Sequence, residues 1–273
     1  MSTAGVIETV ARRQRAIVIA GLVLVSLLAW AFVVAGAGTG MSIRAMSTWQ
    51  FPPPMDRPEI VGAWDAGHCV TMLAMWWVMM VAMMLPSASP MILLFGQVYR
   101  RARTDSKPAA SIAWLAAGYC LAWLGFSAVA TAVQFLFEKA GLVHGMMMWS
   151  LNPWLSAALL AAAGLYQLTP LKHACLSHCR SPFSFLLSHW RSGRAGMLRM
   201  GLVHGAYCIG CCWFLMALLF VGGIMNIVWI AGLAIIVLVE KVTPNGRAVS
   251  AGLGALCLAG SLYIVAGATG ILT

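Results

Sequence analysis

Charged side chains are scarce in this 273-residue chain, because Asp, Glu, Lys and Arg together make up only 9% of it. A soluble domain carries about 25% charged residues, so this scarcity excludes an ordinary soluble fold. Asp and Glu number only seven, and the sequence shows no set of nucleophile, base and acid. It also contains no paired-histidine pattern for haem or a di-iron centre, and no glycine-rich nucleotide motif. These absences remove the commonest enzyme classes, although they leave open whether the protein is an enzyme.

Apolar residues make up 62% of the chain, and the mean hydropathy is +0.88. Long apolar runs separated by short polar loops are typical of a polytopic membrane protein. We therefore predict an all-α fold in a single membrane domain, residues 1–273, with the lipid bilayer as its surroundings. About seven transmembrane helices are predicted, at residues 16–38, 68–98, 109–137, 153–170, 201–222, 224–240 and 247–271.

The net charge of +10 is explained by the positions of the basic residues. In the seven-helix topology, all but three of the 17 Lys and Arg residues fall on one side, the exceptions being Arg44, Arg57 and Lys139. Basic loops stay in the cytoplasm, so we predict a cytoplasmic N-terminus and no nucleic-acid partner. The apolar run from Ala16 is longer than the 7–15 residues of the apolar core of a signal peptide, which favours a retained first helix.

Three cysteines lie within the segment from Gly205 to Trp213, inside a predicted span. Cys208, Cys211 and Cys212 are spaced i, i+3 and i+4, so on a helix they share one face. His204 lies one turn earlier on that face. Thiolate and imidazole ligands suit soft or borderline metals, with copper as our first choice and zinc as the second.

A second cysteine pair precedes this segment. Cys175 and Cys179 are four residues apart, with His178 between them. A pair of thiols cannot fill a tetrahedral site and needs donors from elsewhere. The fourth span runs inward to about residue 170, and the fifth begins at about 201, so both cysteine groups lie at the same depth. We therefore predict a composite metal site formed by Cys175, Cys179, Cys208, Cys211 and Cys212, with His204 as a further ligand.

Weaker metal candidates lie along the second span. Met72, Met79 and Met83, together with Met75, follow helical spacing and form a stripe of thioethers. His68 stands one turn before Met72, at the outer end. Pro86 and Pro90 predict a kink or a break in the inner half of this helix. The other candidates are His178, from the loop after the fourth span, and Glu240.

Glu240 is followed by Lys241 at the inner end of the sixth predicted span. Several interpretations of this acid stay open. It forms an ion pair at the membrane boundary, pairs with Lys172, binds a metal, or relays a proton.

A simpler interpretation competes with the metal site. Cysteine is a common small buried residue in apolar helices, and methionine fills gaps in cores. Disulfides are rare on the reducing side of the membrane, so the clustered thiols stay free either to pack or to react.

The cysteine segments described above, the Met-rich stretch from Trp77 to Ser87 and the Glu240-Lys241 pair occur together and in order. In this combination, roughly residues 65 to 245, the chain resembles a bacterial family of predicted metal-binding integral membrane proteins, defined by a domain of unknown function (DUF2182). The resemblance implies a multi-pass protein of the bacterial inner membrane. It implies no particular reaction.

Three function classes remain. The first, which we favour, is a protein that binds or transports a soft metal such as copper and exchanges it with a metal-delivering or metal-accepting protein. The second is a metal- or thiol-dependent membrane oxidoreductase. The third is a non-catalytic assembly subunit in which Cys and Met only pack.

Overall fold

The computed structural model describes residues 3–53, 64–102 and 108–271. Residues 54–63 of the long predicted outer loop and 103–107 of a predicted inner loop lie outside the described residues. In the described ranges the chain is helical, and its strand-like pairing is limited to one bridge between Val143 and Ser150. The helices are α1 (Thr3–Val34), α2 (Ala66–Ala102), α3 (Pro108–Lys139), α4 (Pro153–Gln167), α5 (Pro170–Arg180), α6 (Pro182–His189), α7 (Gly193–Ala217), α8 (Leu219–Gly222), α9 (Ile227–Val242) and α10 (Gly246–Ala268).

Five stretches of helix in the described residues are long and apolar enough to cross a membrane: α1, α2, α3, α7 with α8, and α10. Helices α4 and α5 meet at a bend of 65° and together make a sixth. The prediction of an all-α polytopic membrane protein is therefore confirmed.

Judged by their length and apolar composition, the described helices do not reach the predicted count of seven spans. The predicted span 224–240 corresponds to α9, which has 16 residues. At 1.5 Å per residue this helix is about 24 Å long, shorter than the ~30 Å hydrocarbon core. The described helices thus support five or six spans, and α9 is a shorter helix packed among them.

The bend between α4 and α5 is encoded by Thr169 and Pro170. The Thr169 side chain accepts a hydrogen bond from the backbone N–H of Lys172 at 3.3 Å and so caps α5. Pro170 occupies the first turn of α5, where its missing N–H costs nothing. The predicted span 153–170 therefore ends earlier, at Gln167, and the chain turns instead of continuing straight.

Helix α7 is held against α3 by a glycine contact. A Cβ atom on Gly118 of α3 would lie 2.1 Å from the carbonyl oxygen of Leu198, and one on Gly201 of α7 would lie 2.0 Å from that of Leu115. Backbones this close pack tightly, as small residues allow in membrane helix pairs. This contact fixes α7, which carries three of the predicted thiols, against the core.

Helix α2 runs without interruption through Pro86 and Pro90, so of the predicted kink or break, the break does not occur, and the kink stays a prediction. Pro90 has no N–H to donate to the carbonyl of Pro86. The hydroxyl of Ser89 donates to that carbonyl instead, at 2.7 Å. A side chain thus replaces the lost backbone hydrogen bond, as happens in membrane helices that contain proline.

Contacts between residues of the connecting segments and residues near the ends of helices identify the two ends of the bundle. At one end the ring of Trp190, between α6 and α7, packs 5.6 Å from that of Phe95 near the end of α2. At the other end the indole N–H of Trp64 donates to Glu138 at 2.7 Å. We call the end with Trp190 the thiol end, because the cysteine-bearing helix α7 begins there, and we call the opposite end the outer end.

Candidate metal centre

The structure brings the five predicted cysteines together between α5 and α7. Cys208, Cys211 and Cys212 are buried on one face of α7. From α5, the Cys179 side chain interacts with those of Cys208 and Cys211. The Cys175 sulfur lies against Gly210, 2.9 Å from where a Cβ atom would stand, so a larger residue there would displace it. We refer to these five thiols as the thiol cluster.

Two of the thiols are turned back onto their own helix. Cys211 and Cys212 donate to the carbonyl oxygen of Cys208 at 3.1 and 3.0 Å. In the described part of the chain, no three His, Cys, Asp or Glu side chains are arranged to hold a metal ion together. The four-ligand geometry of a structural zinc site is therefore not formed here by these groups.

Cys208 differs from the other thiols, since polar side chains from two further helices reach its sulfur. The ammonium of Lys241 lies 3.0 Å from this sulfur, and the hydroxyl of Tyr119 lies 3.1 Å from it. Lys241 also donates to the hydroxyl of Ser87 at 2.8 Å. A cation therefore sits directly beside the buried thiol of Cys208.

Sequence reasoning missed Lys241 as part of this site. The sequence indicates only a residue at the membrane boundary, because Lys241 follows Glu240 at the end of a helix. Neighbouring residues on a helix point about 100° apart, so Glu240 and Lys241 face different partners. Tyr119 had no signal in the sequence beyond its place in an apolar span.

Glu240 is engaged away from the thiol cluster. It forms an ion pair with Lys172 at 2.5 Å, and both side chains are 1% exposed. The hydroxyl of Ser250 donates to the same carboxylate oxygen at 2.7 Å. Of the interpretations left open for Glu240, pairing with Lys172 is the one that the structure contains.

The two histidine candidates near the thiol cluster differ in position. His204 is buried, its ring lies 5.8 Å from that of Tyr119, and its Nδ1 atom has no hydrogen-bond partner in the described residues. It is available as a further donor. His178 instead stacks on Tyr207 at 4.2 Å, and its Nδ1 atom contacts the carbonyl of Ala174.

The methionine stripe of α2 is buried along its whole length. Met72, Met75, Met79 and Met83 are each at most 3% exposed. Close to its inner end, the sulfur of Met84 lies 4.0 Å from that of Cys212. The stripe thus runs through the protein interior, from the outer end to the thiol cluster.

The outer candidates, His68 and Met72, both line a cavity of about 550 Å³. Cys69, their neighbour in sequence, is exposed. Met148, from the segment after α3, lines the same cavity. The Met-Met-Met-Trp segment that contains Met148 was visible in the sequence, but its approach to α2 was not.

The chain was also compared with known proteins. The model of the copper chaperone family PpoB2 matches residues 73–264, a range that covers more than half of the chain and includes the whole thiol cluster. No curated protein and no solved structure matches the chain. The resemblance in the motifs is thus confirmed as far as a copper-related membrane family, while a relation to DUF2182 stays a prediction. By this match, the chain belongs to the copper chaperone family PpoB2.

Proposed function

We propose that this protein binds Cu(I) at the thiol cluster and exchanges it with a partner protein. The observation that carries the proposal is the clustering of five free thiols from α5 and α7, in which Cys179 interacts with the buried Cys208 and Cys211. Thiolates and thioethers select Cu(I) over harder ions. Rotation of Cys211 and Cys212 away from the backbone carbonyl that they now contact would turn their sulfurs toward the ion.

Charge balance favours Cu(I) at this place. A Cu(I) ion held by two thiolates carries one negative charge, which is costly to bury unless it is compensated. The ammonium of Lys241, 3.0 Å from the Cys208 sulfur, supplies one positive charge. Ion, thiolates and ammonium together are neutral, whereas a divalent ion with the same ligands would leave a positive charge in the bundle.

The methionine stripe supports movement of copper as well as binding. Transport requires sites that bind an ion strongly enough to accept it and weakly enough to release it. Thioethers are neutral and bind without losing a proton, while thiols must be deprotonated to ligate. The sulfur of Met84, the residue after the last member of the stripe, lies 4.0 Å from that of Cys212, so this row of thioethers would lead Cu(I) toward tighter ligands.

The proposal extends to place and partner. We assign the protein to the inner membrane of a bacterium, with the thiol end facing the cytoplasm, on the distribution of Lys and Arg. Its partner is a protein that delivers copper or accepts it. Nucleic acid has no role in this scheme.

Thiol oxidoreductase activity is the second candidate. A cation beside a cysteine favours the thiolate, which is the reactive form, and Lys241 stands beside Cys208. The metal-binding experiment below separates the two candidates, since an oxidoreductase does not depend on bound copper.

Copper content is the test. The protein is purified in mild detergent under reducing conditions, loaded with Cu(I) and washed, and its copper is counted per chain. The variant Cys208→Ser/Cys211→Ser/Cys212→Ser, called the triple-serine variant, is measured beside Cys120→Ser/Cys257→Ser, which removes two cysteines outside the cluster.

We expect the wild type and the control to keep the same amount of copper at the thiol cluster, and the triple-serine variant to lose that amount. Wild type that binds no copper at the thiols, or a triple-serine variant that keeps as much as the control, would refute the proposal. Reversible oxidation of Cys208 without copper binding would instead favour the oxidoreductase.

A further inference from the structure

The cavity at the outer end is lined by an unusual set of side chains. It encloses about 550 Å³, and four methionines, one histidine and one carboxylate line it: Met41, Met72, Met146, Met148, His68 and Asp65. These come from three separate parts of the chain. Methionines that fill gaps in a core pack against other side chains, whereas these four line a cavity.

Gln134 of α3 contacts two of these sulfurs through one side-chain nitrogen. Its side-chain nitrogen lies 3.4 Å from the sulfur of Met72 and 3.2 Å from that of Met148. The same nitrogen donates to Glu138 at 2.8 Å. An amide has two N–H groups for these three acceptors, and the carboxylate takes one. The two sulfurs therefore share one N–H and keep lone pairs free.

Gln134 is itself held in place. Its carbonyl oxygen accepts a hydrogen bond from the indole N–H of Trp76 at 2.7 Å, inside the core. This fixes which end of the amide faces the methionines. The spacing of the two sulfurs is thus set by a rigid, buried network, as a preorganised binding site requires.

His68 brings a third donor into the same cavity. It stands one turn before Met72 on α2, so the two side chains share a helix face. Its Nε2 atom is buried and has no hydrogen-bond partner in the described residues. The ring packs edge-on against Trp64 at 4.8 Å. Buried polar atoms without a partner are rare and call for an explanation, and a metal ion supplies one.

We propose that the outer cavity is a second copper site, which binds one Cu(I) through the sulfurs of Met72 and Met148 and the Nε2 atom of His68. Thioether and imidazole donors select a soft monovalent ion. Thioethers and the imidazole nitrogen bind as uncharged ligands, and the carboxylates of Asp65 and Glu138 nearby compensate the charge of the ion. The inference deepens the proposed function, since the site would pass Cu(I) to the methionine stripe.

The test uses Ag(I), a redox-inert substitute for Cu(I), in a six-serine variant, in which the five cysteines of the thiol cluster and the exposed Cys69 are all replaced by serine, because Ag(I) binds thiolates more tightly than thioethers. Bound silver per chain is counted with and without Met72→Leu/Met148→Leu. The matched control is Met80→Leu/Met91→Leu, which changes two methionines of α2 that are buried outside the cavity. Met-to-Leu changes nearly conserve volume, so all variants should fold.

We expect one equivalent of silver in the six-serine variant and in the control, and loss of that equivalent in Met72→Leu/Met148→Leu. His68→Leu should lower the affinity at least tenfold. An independent measurement uses wild-type protein with ¹³C-labelled methionine methyl groups. There, Ag(I) should shift the signals of Met72 and Met148 while those of Met91 stay in place.

Silver bound equally by all variants, or unshifted Met72 and Met148 signals, would overturn the outer site. The proposed function would still stand if the thiol cluster binds copper in Met72→Leu/Met148→Leu. Conversely, an outer site that binds silver in a protein whose thiols bind no copper would refute the proposed function alone.

Discussion

Lys241 offers the sharpest test of the proposal that the thiol cluster binds copper. Its ammonium lies 3.0 Å from the Cys208 sulfur and 2.8 Å from the hydroxyl of Ser87. In the described part of the chain it meets no carboxylate, so Cys208 is the group whose charge it balances. Replacing it with methionine keeps the apolar stem and removes the charge. A copper–dithiolate complex would then be buried with an uncompensated negative charge.

The expected loss can be worked out from the distance. Unit charges 3.0 Å apart attract by about 5.5 kcal/mol at an effective dielectric constant of about 20. Desolvation offsets part of this, and truncating one member of a buried charge pair costs about 2–5 kcal/mol. Lys241 is only partly buried, so we take about 2–3 kcal/mol. At about 1.4 kcal/mol per tenfold, Lys241→Met should weaken Cu(I) binding roughly 30- to 140-fold.

The assay is competition with a chromogenic Cu(I) chelator at neutral pH. Lys139→Met is the control, because Lys139 is exposed at the other end of the bundle, over the ring of Phe135. It should change the affinity less than threefold. An unchanged affinity in Lys241→Met would show that Lys241 does not compensate the complex. Tighter binding would show that repulsion between the ammonium and the copper ion dominates, and either result refutes the charge argument.

Two further predictions concern stability in detergent, measured by thermal or SDS-induced unfolding. Lys172→Met alone should destabilise the fold by about 3–5 kcal/mol, because it leaves the buried carboxylate of Glu240 unpaired. The double variant Lys172→Met/Glu240→Leu should recover much of that loss, and a double variant no more stable than the single one would contradict this account. Gly201→Leu should prevent α7 from packing on α3, because even a Cβ atom there would lie 2.0 Å from the carbonyl of Leu115, while Gly232→Ala, with nothing within 4 Å, should be tolerated; equal stability of these two variants would contradict the close packing.

The parts of the fold that were predictable depend on local signals. Long apolar runs locate the helices of a membrane protein, because a backbone segment in lipid must satisfy its N–H and C=O groups by internal hydrogen bonds, as a helix does. The spacing of Cys208, Cys211 and Cys212 puts them on one helix face whatever the tertiary structure is. The approach of Cys179 to that face followed from the depth of two spans, which the basic loops determine.

The parts that were missed depend on direction and on distant contacts. The 65° bend at Thr169-Pro170 has a local signal, a capping residue followed by proline, and the predicted fourth span ends there. The segment after it, predicted as a loop, is the helix α5, whose direction a single sequence does not indicate. The direction of Lys241 had no such signal. Which side of a helix end meets a thiol depends on how α9 packs, and a single sequence does not report that.

Only part of the outer cavity could be predicted from the sequence, because the rest depends on contacts between distant parts of the chain. His68 and Met72 share a helix face, which spacing predicts, but Met148 reaches them through a turn in which its own φ is +55°. Positive φ is uncommon for a residue other than glycine. No pattern in the sequence indicates that a methionine would adopt it, or that Gln134 would hold its sulfur.

The two ends of the bundle differ in ligand chemistry in a way that would give the proposed movement of copper a direction. At the outer end the proposed donors are neutral, and Asp65 and Glu138 supply the negative charge that attracts a cation. At the thiol end the donors themselves become anionic, and Lys241 supplies the positive charge that stabilises them once copper is bound. Thioethers do not form disulfides, so they suit an oxidising compartment, whereas free thiols need a reducing one. An ion that enters among thioethers and ends among thiolates moves toward stronger ligands at each step, so release at the thiol end requires an acceptor that offers thiolates of its own.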